Sequence, residues 1–124
     1  MRQYMVRGAY PDEIKPLAGK RLLGCDSCQI CCPENRLIRP VEAPRAFQDL
    51  FRLEGLLDLE RRPALRRQIA DAIGANYART RYLTALAVVA AGNTGQCLDR
   101  IAALTDHEDE RIRQAARYYT RHGR

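Results

Sequence analysis

The sequence predicts an all-α chain, with an irregular cysteine-rich segment and connector over residues 1–45 and an antiparallel helical array over residues 46–124. Three observations predict it. Gly and Pro crowd the first third of the chain. They become sparse after about Ala46, where Ala, Leu and Arg dominate and apolar residues return at helical spacing. No strand-like alternation persists over a useful length. Four of the five cysteines, Cys25, Cys28, Cys31 and Cys32, fall within eight residues, too close in sequence to staple distant parts of a fold.

The elements follow in order. Gly8, Pro11, Pro16, Gly19 and Gly24 punctuate the lead-in and leave room for one short helical turn near Asp12 to Leu17. Pro33-Glu34-Asn35 ends the cysteine cluster, and Pro40 and Pro44 forbid a long regular element in the connector after it. Phe47, Leu50, Phe51 and Leu53 start a short helix that the pattern breaks near Gly55, with Leu56, Leu57 and Leu59 continuing the apolar contacts. Pro63 suits the first position of the next helix, in which Leu65, Ile69 and Ile73 stack at i, i+4, i+8. A third helix is expected from about Tyr77 to Ala91, with Tyr82, Leu86, Val89 and Ala90 on one side and Gly92-Asn93 as its left-handed stop. A shorter helix is expected from about Gly95 to Leu104, with Leu98, Ile101 and Leu104 facing inward. The last follows a Thr105-Asp106-His107-Glu108 capping box, with Ile112, Ala116 and Tyr119 inward.

Composition narrows the function. At 124 residues, 46% hydrophobic and 29% charged, the chain supports one core or a small helical array and excludes a large multidomain enzyme. Its 21 Lys+Arg against 15 Asp+Glu give a net charge of +6, almost all of it from Arg. Guanidinium forks suit phosphate oxygens, so this balance favours polyanions, although it also serves plain solubility. No apolar run is long enough to span a membrane, and Met1-Arg2-Gln3-Tyr4 leads into no signal-peptide core, so a cytoplasmic location is expected. No acid–base pair or activated nucleophile is visible. Asp106, Glu108, Asp109 and Glu110 are explained by a helix start, and Gly92-Asn93-Thr94-Gly95 lacks the strand and the Gly-Lys-Thr ending of a phosphate loop. No catalytic residue is assigned.

The chemistry is therefore expected at the cysteines. Cys25, Cys28 and Cys31 have the spacing of the first three ligands of a ferredoxin-like run, whereas Cys25, Cys28 and Cys32 end on a Cys-Pro. The second register is preferred because Pro33 then follows a ligand, leaving Cys31 as a neighbour or spare ligand. Structural zinc is the competing reading, but its remaining donors would have to be Cys97, His107 or His122. The first is read as a small core residue and the two histidines as solvent-facing.

Two resemblances emerge from these residues. The run from Thr105 to Ala116, an acidic turn before a helix carrying Ile112-Arg113, resembles a HEAT-type repeat, and at most about two such units fit residues 62 to 124. The run from Tyr10 to Asn35 resembles the second iron–sulfur segment of epoxyqueuosine reductase. It contains Pro16-Leu17-Ala18-Gly19-Lys20-Arg21, Gly24-Cys25-Asp26-Ser27-Cys28-Gln29 and Cys32-Pro33-Glu34-Asn35. That family implies a cobalamin-dependent enzyme with two [4Fe–4S] clusters that reduces epoxyqueuosine in tRNA to queuosine. It implies that Cys25 and Cys28 ligate one cluster, that Cys32 ligates the other, and that the C-terminal helices dock tRNA.

There are departures from the family pattern. The family's usual Trp after Cys-Pro is Glu34 here, and Cys31 is an addition. The cobalamin domain and the first cysteine run of the family have no counterpart in these residues, and three family-position cysteines cannot complete two cubanes. The expectation is a [4Fe–4S]-binding, tRNA-docking C-terminal portion of such a reductase, with Arg66, Arg67, Arg79, Arg81, Arg113 and Arg117 as candidate phosphate contacts. It would not be catalytically complete alone, and would need the missing N-terminal half or a redox partner. The alternative is a stand-alone helical-repeat binding module with a zinc or vacant cysteine site, or a remnant without activity.

Overall fold

The computed structural model describes residues 8–122; the Met1–Tyr4 lead weighed above as a signal sequence lies outside them. Eight helices follow one another among the described residues: α1 Ile14–Leu17, α2 Ser27–Ile30, α3 Arg45–Leu50, α4 Leu53–Leu57, α5 Pro63–Ile73, α6 Thr80–Thr94, α7 Leu98–Ala102 and α8 Glu110–His122. Two 3₁₀ turns, Pro33–Leu37 and Leu59–Arg61, interrupt them. No strand occurs among the described residues, and no helix among them is long and apolar enough to cross a membrane.

The core is built around α6. Every residue from Leu83 to Ala91 is buried, because α4, α7, α8 and α1 all pack against this one helix. Ala85, Ala87, Ala90 and Ala91 keep its circumference small enough for neighbours on several sides, while Leu83, Leu86, Val88 and Val89 fill the gaps. Each of these four larger side chains contributes about 1.5–3 kcal/mol of burial. Thr84 is buried among them without an orphaned hydroxyl, since its Oγ1 donates to the Leu56 carbonyl of α4 at 2.9 Å. α6 and α8 approach closely where Gly92 faces the Tyr119 ring, and a Cβ at residue 92 would overlap the ring's Cγ and both Cδ atoms.

The lead-in is tied to this body by polar groups. Lys15 of α1 is only 1% exposed, yet its ammonium is well partnered: it donates to the Tyr10 carbonyl at 2.6 Å and to Asp12 at 2.5 Å, and lies 5.0 Å from the Tyr118 ring centroid. Asn93 of α6 donates to the Lys15 and Gly19 carbonyls at 2.8 and 2.9 Å and accepts from the Tyr119 hydroxyl at 2.6 Å. One amide thus joins α1, α6 and α8.

The structure corrects several boundaries. The first break falls at Phe51-Arg52, where Arg52 turns extended, and Gly55 lies inside α4, buried against Leu65. α6 runs through Gly92-Asn93 to Thr94 and stops at Gly95, whose φ of 69° is left-handed. Its buried faces surround the whole axis instead of forming one stripe. α7 is shorter than expected, and Leu98 is 45% exposed instead of inward, while Ile101 is buried. The cap of α8 is Asp109, whose Oδ1 accepts the Arg111 and Ile112 N–H groups at 3.0 and 3.4 Å, and not the Thr105–Glu108 box. The turn at α1, Pro63 at the start of α5, and the inward Ile112, Ala116 and Tyr119 of α8 are as the pattern predicts.

Candidate functional site

The cysteines occupy a segment that the core does not enclose. No residue from Gly24 to Asp49 is buried, and α2 has the Pro33–Leu37 turn as its main packing partner. Within it the backbone is well defined. The Cys31 N–H donates to the Ser27 carbonyl at 3.0 Å and the Asn35 N–H to the Cys32 carbonyl at 3.1 Å. The Asn35 amide holds the Gln29 carbonyl and side chain at 3.0 and 2.8 Å. Pro33 thus opens a turn immediately after Cys32, and Asn35 folds it back onto α2.

Cys28 and Cys31 are exposed, Cys25 and Cys32 are half-buried, and none is in a disulfide. The Cys25 thiol donates to the Ser27 hydroxyl at 3.2 Å. The Ser27 hydroxyl, then its N–H, can stabilise the thiolate in turn, and with the nearby Arg21 charge they hold Cys25 below the ordinary thiol range. Among the described residues, no group of three or more Cys, His, Asp or Glu side chains converges into a metal-holding set. Cys97 stands far along the chain, half-buried with φ of 53° at the start of α7, and burial raises its thiol pKa.

His107 is not the solvent-facing side chain expected: it is 13% exposed. Its Nδ1 accepts the Asp109 N–H at 3.0 Å, so Nε2 carries the proton of the neutral ring and faces Glu60 at 3.3 Å. His122 is exposed as expected, stacked on Tyr118 at 4.7 Å.

The six arginines divide. Arg81 bridges Glu60 and Glu108. Arg113 donates to the His107 and Glu108 carbonyls at 2.7 and 3.0 Å. Arg117 donates to the Thr105 carbonyl at 2.8 Å and pairs with Asp106 at 3.0 Å. These three staple the turn before α8. Arg66, Arg67 and Arg79 are exposed and line one shallow groove with Thr80, where the end of α5 meets the start of α6. Sequence reasoning missed Lys15, Asn93 and the Glu60–Arg81–Glu108 bridge. The Asn after Gly92 could have hinted at the second, while nothing in the sequence marks Lys15 as buried.

Fold and site together define a helical protein that carries a thiol-rich loop outside its packed body. Comparison with known proteins finds short stretches that this chain shares with epoxyqueuosine reductases. It is 59% identical over 34 residues to the epoxyqueuosine reductase of Pseudomonas aeruginosa, a stretch that is 27% of this chain and 9% of that protein. It is 55% identical over 31 residues to that of Escherichia coli, covering 25% of this chain and 8% of the relative. It is 41% identical over 58 residues to that of Yersinia pestis, covering 44% and 13%. The chain is thus a partial homologue of epoxyqueuosine reductase, matched over about a tenth of the length of these relatives. No family model matches the chain. No solved structure matches it.

The resemblance brings an iron–sulfur cluster into question, and the loop can be tested for it. The donor chemistry suits it: thiols on a surface turn, one of them acidified, and a Cys-Pro end. The closed ligand set does not, because the described residues of one chain bring no three donors together. The chain by itself does not fit a complete four-thiolate centre.

Proposed function

We propose that this protein acts in queuosine modification of tRNA as an iron–sulfur-ligating and tRNA-docking relative of the C-terminal part of epoxyqueuosine reductase. The observation that carries the proposal is the short stretch of high identity to those reductases in a chain whose cysteine loop lies exposed beside the core. Cys25, Cys28 and Cys32, with Cys31 beside them, are the thiolates offered to a [4Fe–4S] cluster, whose chemistry when bound is one-electron transfer. Ser27 and Arg21 keep Cys25 available as thiolate, and Asn35 sets the turn that carries Cys32. Cobalamin would be held outside these residues, so the catalytic centre needs a further domain or a redox partner.

The helices after Pro44 serve as a HEAT-like support. The pairwise packing of α6, α7 and α8 across short turns favours that reading. Arg66, Arg67 and Arg79 are the phosphate contacts of this proposal, because the other three candidate guanidiniums are spent on internal partners. A cytoplasmic location accords with a tRNA substrate.

The test is iron and sulfide analysis with an absorption spectrum on protein purified anaerobically, alongside Cys25→Ser and Cys32→Ser. Iron and sulfide in the parent that are lost in both variants is the expected result. Zinc, or no metal with unchanged folding, overturns it in favour of a helical binding module.

A further inference from the structure

Cys31 has no place in the family pattern, and the backbone supplies one. Cys28 lies in α2 and Cys31 is the αR residue that ends it, three positions on, so the two stand on one helical face. Both are exposed and neither is in a disulfide, while Cys25 and Cys32 to either side are half-buried. Helix geometry sets such Cα atoms about 5 Å apart, inside the span of roughly 4.4–6.8 Å that a disulfide bridges. Cβ atoms three positions apart are separated by about 5–6 Å, so a bridge needs them to close to roughly 4 Å. The end of α2 is already wound in that direction. The Cys31 N–H keeps the α-type bond to the Ser27 carbonyl at 3.0 Å, but the Cys32 N–H donates to the Gln29 carbonyl, three residues back, at 3.3 Å. A 3₁₀ turn of this kind brings side chains three apart into eclipse. The core does not resist the remaining movement, because α2 carries no buried residue.

The same geometry disfavours the other pairings. Cys31 and Cys32 are neighbours, with Cα atoms about 3.8 Å apart, too close for an unstrained bridge. Cys25 precedes the helix, and its thiol is bonded to the Ser27 hydroxyl at 3.2 Å. Cys32 has turned extended, with ψ of 125°, into the Pro33 turn.

We propose that Cys28 and Cys31 form a redox-sensitive dithiol, which hydrogen peroxide converts to a disulfide and a thiol reductant reopens. One sulfur attacks the peroxide: an S–O bond forms as the O–O bond breaks, leaving a sulfenic acid and water. The second sulfur then attacks the first, the S–S bond forms as the S–O bond breaks, and the hydroxyl leaves as water with the second thiol's proton. Two electrons thus pass from the thiol pair to one peroxide. An exposed bridge outside the core is of the readily reduced kind, so the step runs both ways. The inference goes beyond the cluster reading and needs no metal. It bears on that reading all the same, since oxidation of Cys28 withdraws one of the three thiolates offered to a cluster.

The full chain, reduced and freed of metal with a chelator, is treated with hydrogen peroxide. Free thiols are then blocked with iodoacetamide, disulfides are reduced, and the released thiols are labelled with N-ethylmaleimide. All four loop cysteines fall in one tryptic peptide, Leu22 to Arg36, whose fragment ions assign each label. A chain lighter by about 2 Da, two hydrogens, with maleimide on Cys28 and Cys31 is expected. Cys31→Ser is expected to lose the bridge and to raise severalfold the sulfenic acid that dimedone traps on Cys28. Cys25→Ser, which removes a neighbouring competitor, is expected to keep the bridge. Maleimide on any other pair, a covalent dimer, or loop thiols that stay unpaired after peroxide overturns the dithiol. Iron and sulfide held by the parent chain, with no Cys28–Cys31 bridge once they are removed, overturns this inference and leaves the cluster reading standing. The bridge in a chain that takes up no iron upholds it and overturns the cluster reading.

Discussion

Replacing Gly92 by Ala isolates the contact on which the helical body depends. In an open helix this change stabilises by about 1 kcal/mol, because Ala has the higher helix propensity. Here the added methyl overlaps three carbons of the Tyr119 ring, and those atoms belong to a stiff aromatic ring, not to the free end of a flexible chain. Overpacking a close-packed contact costs about 1–3 kcal/mol, and rigid ring carbons place this site at the upper end. The ring cannot swing aside freely, since its hydroxyl is bonded to Asn93 at 2.6 Å. Losing that hydrogen bond costs about 1 kcal/mol more. The net expectation is a destabilisation of about 3 kcal/mol, a large share of the 5–15 kcal/mol of a typical domain. Urea unfolding followed by circular dichroism reads it directly: with a slope of about 1–3 kcal/mol per molar, the midpoint falls by roughly 1–3 M. Tyr119→Leu combined with Gly92→Ala restores part of the loss, and the double-mutant cycle gives a coupling of about 1–3 kcal/mol. A midpoint that stays put or rises in Gly92→Ala would refute the close approach of α6 and α8.

Three further outcomes follow from the same contacts. Changing Arg66, Arg67 and Arg79 together to Gln is expected to flatten the salt dependence of tRNA binding by about two to three in slope, while Arg117→Gln leaves the slope unchanged; filter binding across a salt series measures both, and affinity independent of salt refutes docking through the groove. Ser27→Ala removes the hydroxyl that holds Cys25 low, so the pH profile of Cys25 alkylation, read by peptide mass spectrometry, moves to higher pH; an unmoved profile refutes the Ser27–Cys25 bond. Asp109→Ala removes the α8 cap and costs about 1–2 kcal/mol near neutrality. Burial pushes the Asp109 carboxyl up, but Arg111 and the Ile112 and Arg111 N–H groups outweigh it, and the group sits below its ordinary value. Its stabilisation is therefore complete above about pH 4 and withdrawn as acid approaches the lower folded value, so parent and variant converge there in melting temperature. A constant gap down to low pH would refute the assignment.

What the sequence revealed depended on whether one face of an element was wet. α5 and α8 carry polar residues opposite their apolar stripes, so Ile69, Ile112, Ala116 and Tyr119 were readable from spacing alone. α6 is buried on every side, so it has no stripe to read, and Gly92-Asn93 had the appearance of a stop although both residues are helical, Gly92 facing the Tyr119 ring and Asn93 bonded to its hydroxyl. Lys15 was invisible for a related reason. A lysine is assigned to water by its type, and only the Tyr10 carbonyl, Asp12 and the Tyr118 ring make its burial tolerable. The cysteine spacing identified the loop, because ligand type and separation are local properties. Whether the sulfurs meet is not local, and among the described residues no three metal donors converge.

The division among the arginines has the same origin and decides how the surface can be used. Asp106, Glu108 and Asp109 look in sequence like a helix-start run, yet two of them lie within reach of guanidiniums on other elements: Glu108 takes Arg81 of α6, and Asp106 takes Arg117 further along α8. Those cations are neutralised where they stand, and pulling them onto a phosphate would open the turn before α8. Among the described residues, no acid lines the groove of Arg66, Arg67 and Arg79. Among the described residues an incoming polyanion can engage them without breaking an ion pair, so part of the net charge of +6 is free to act at the groove where α5 meets α6.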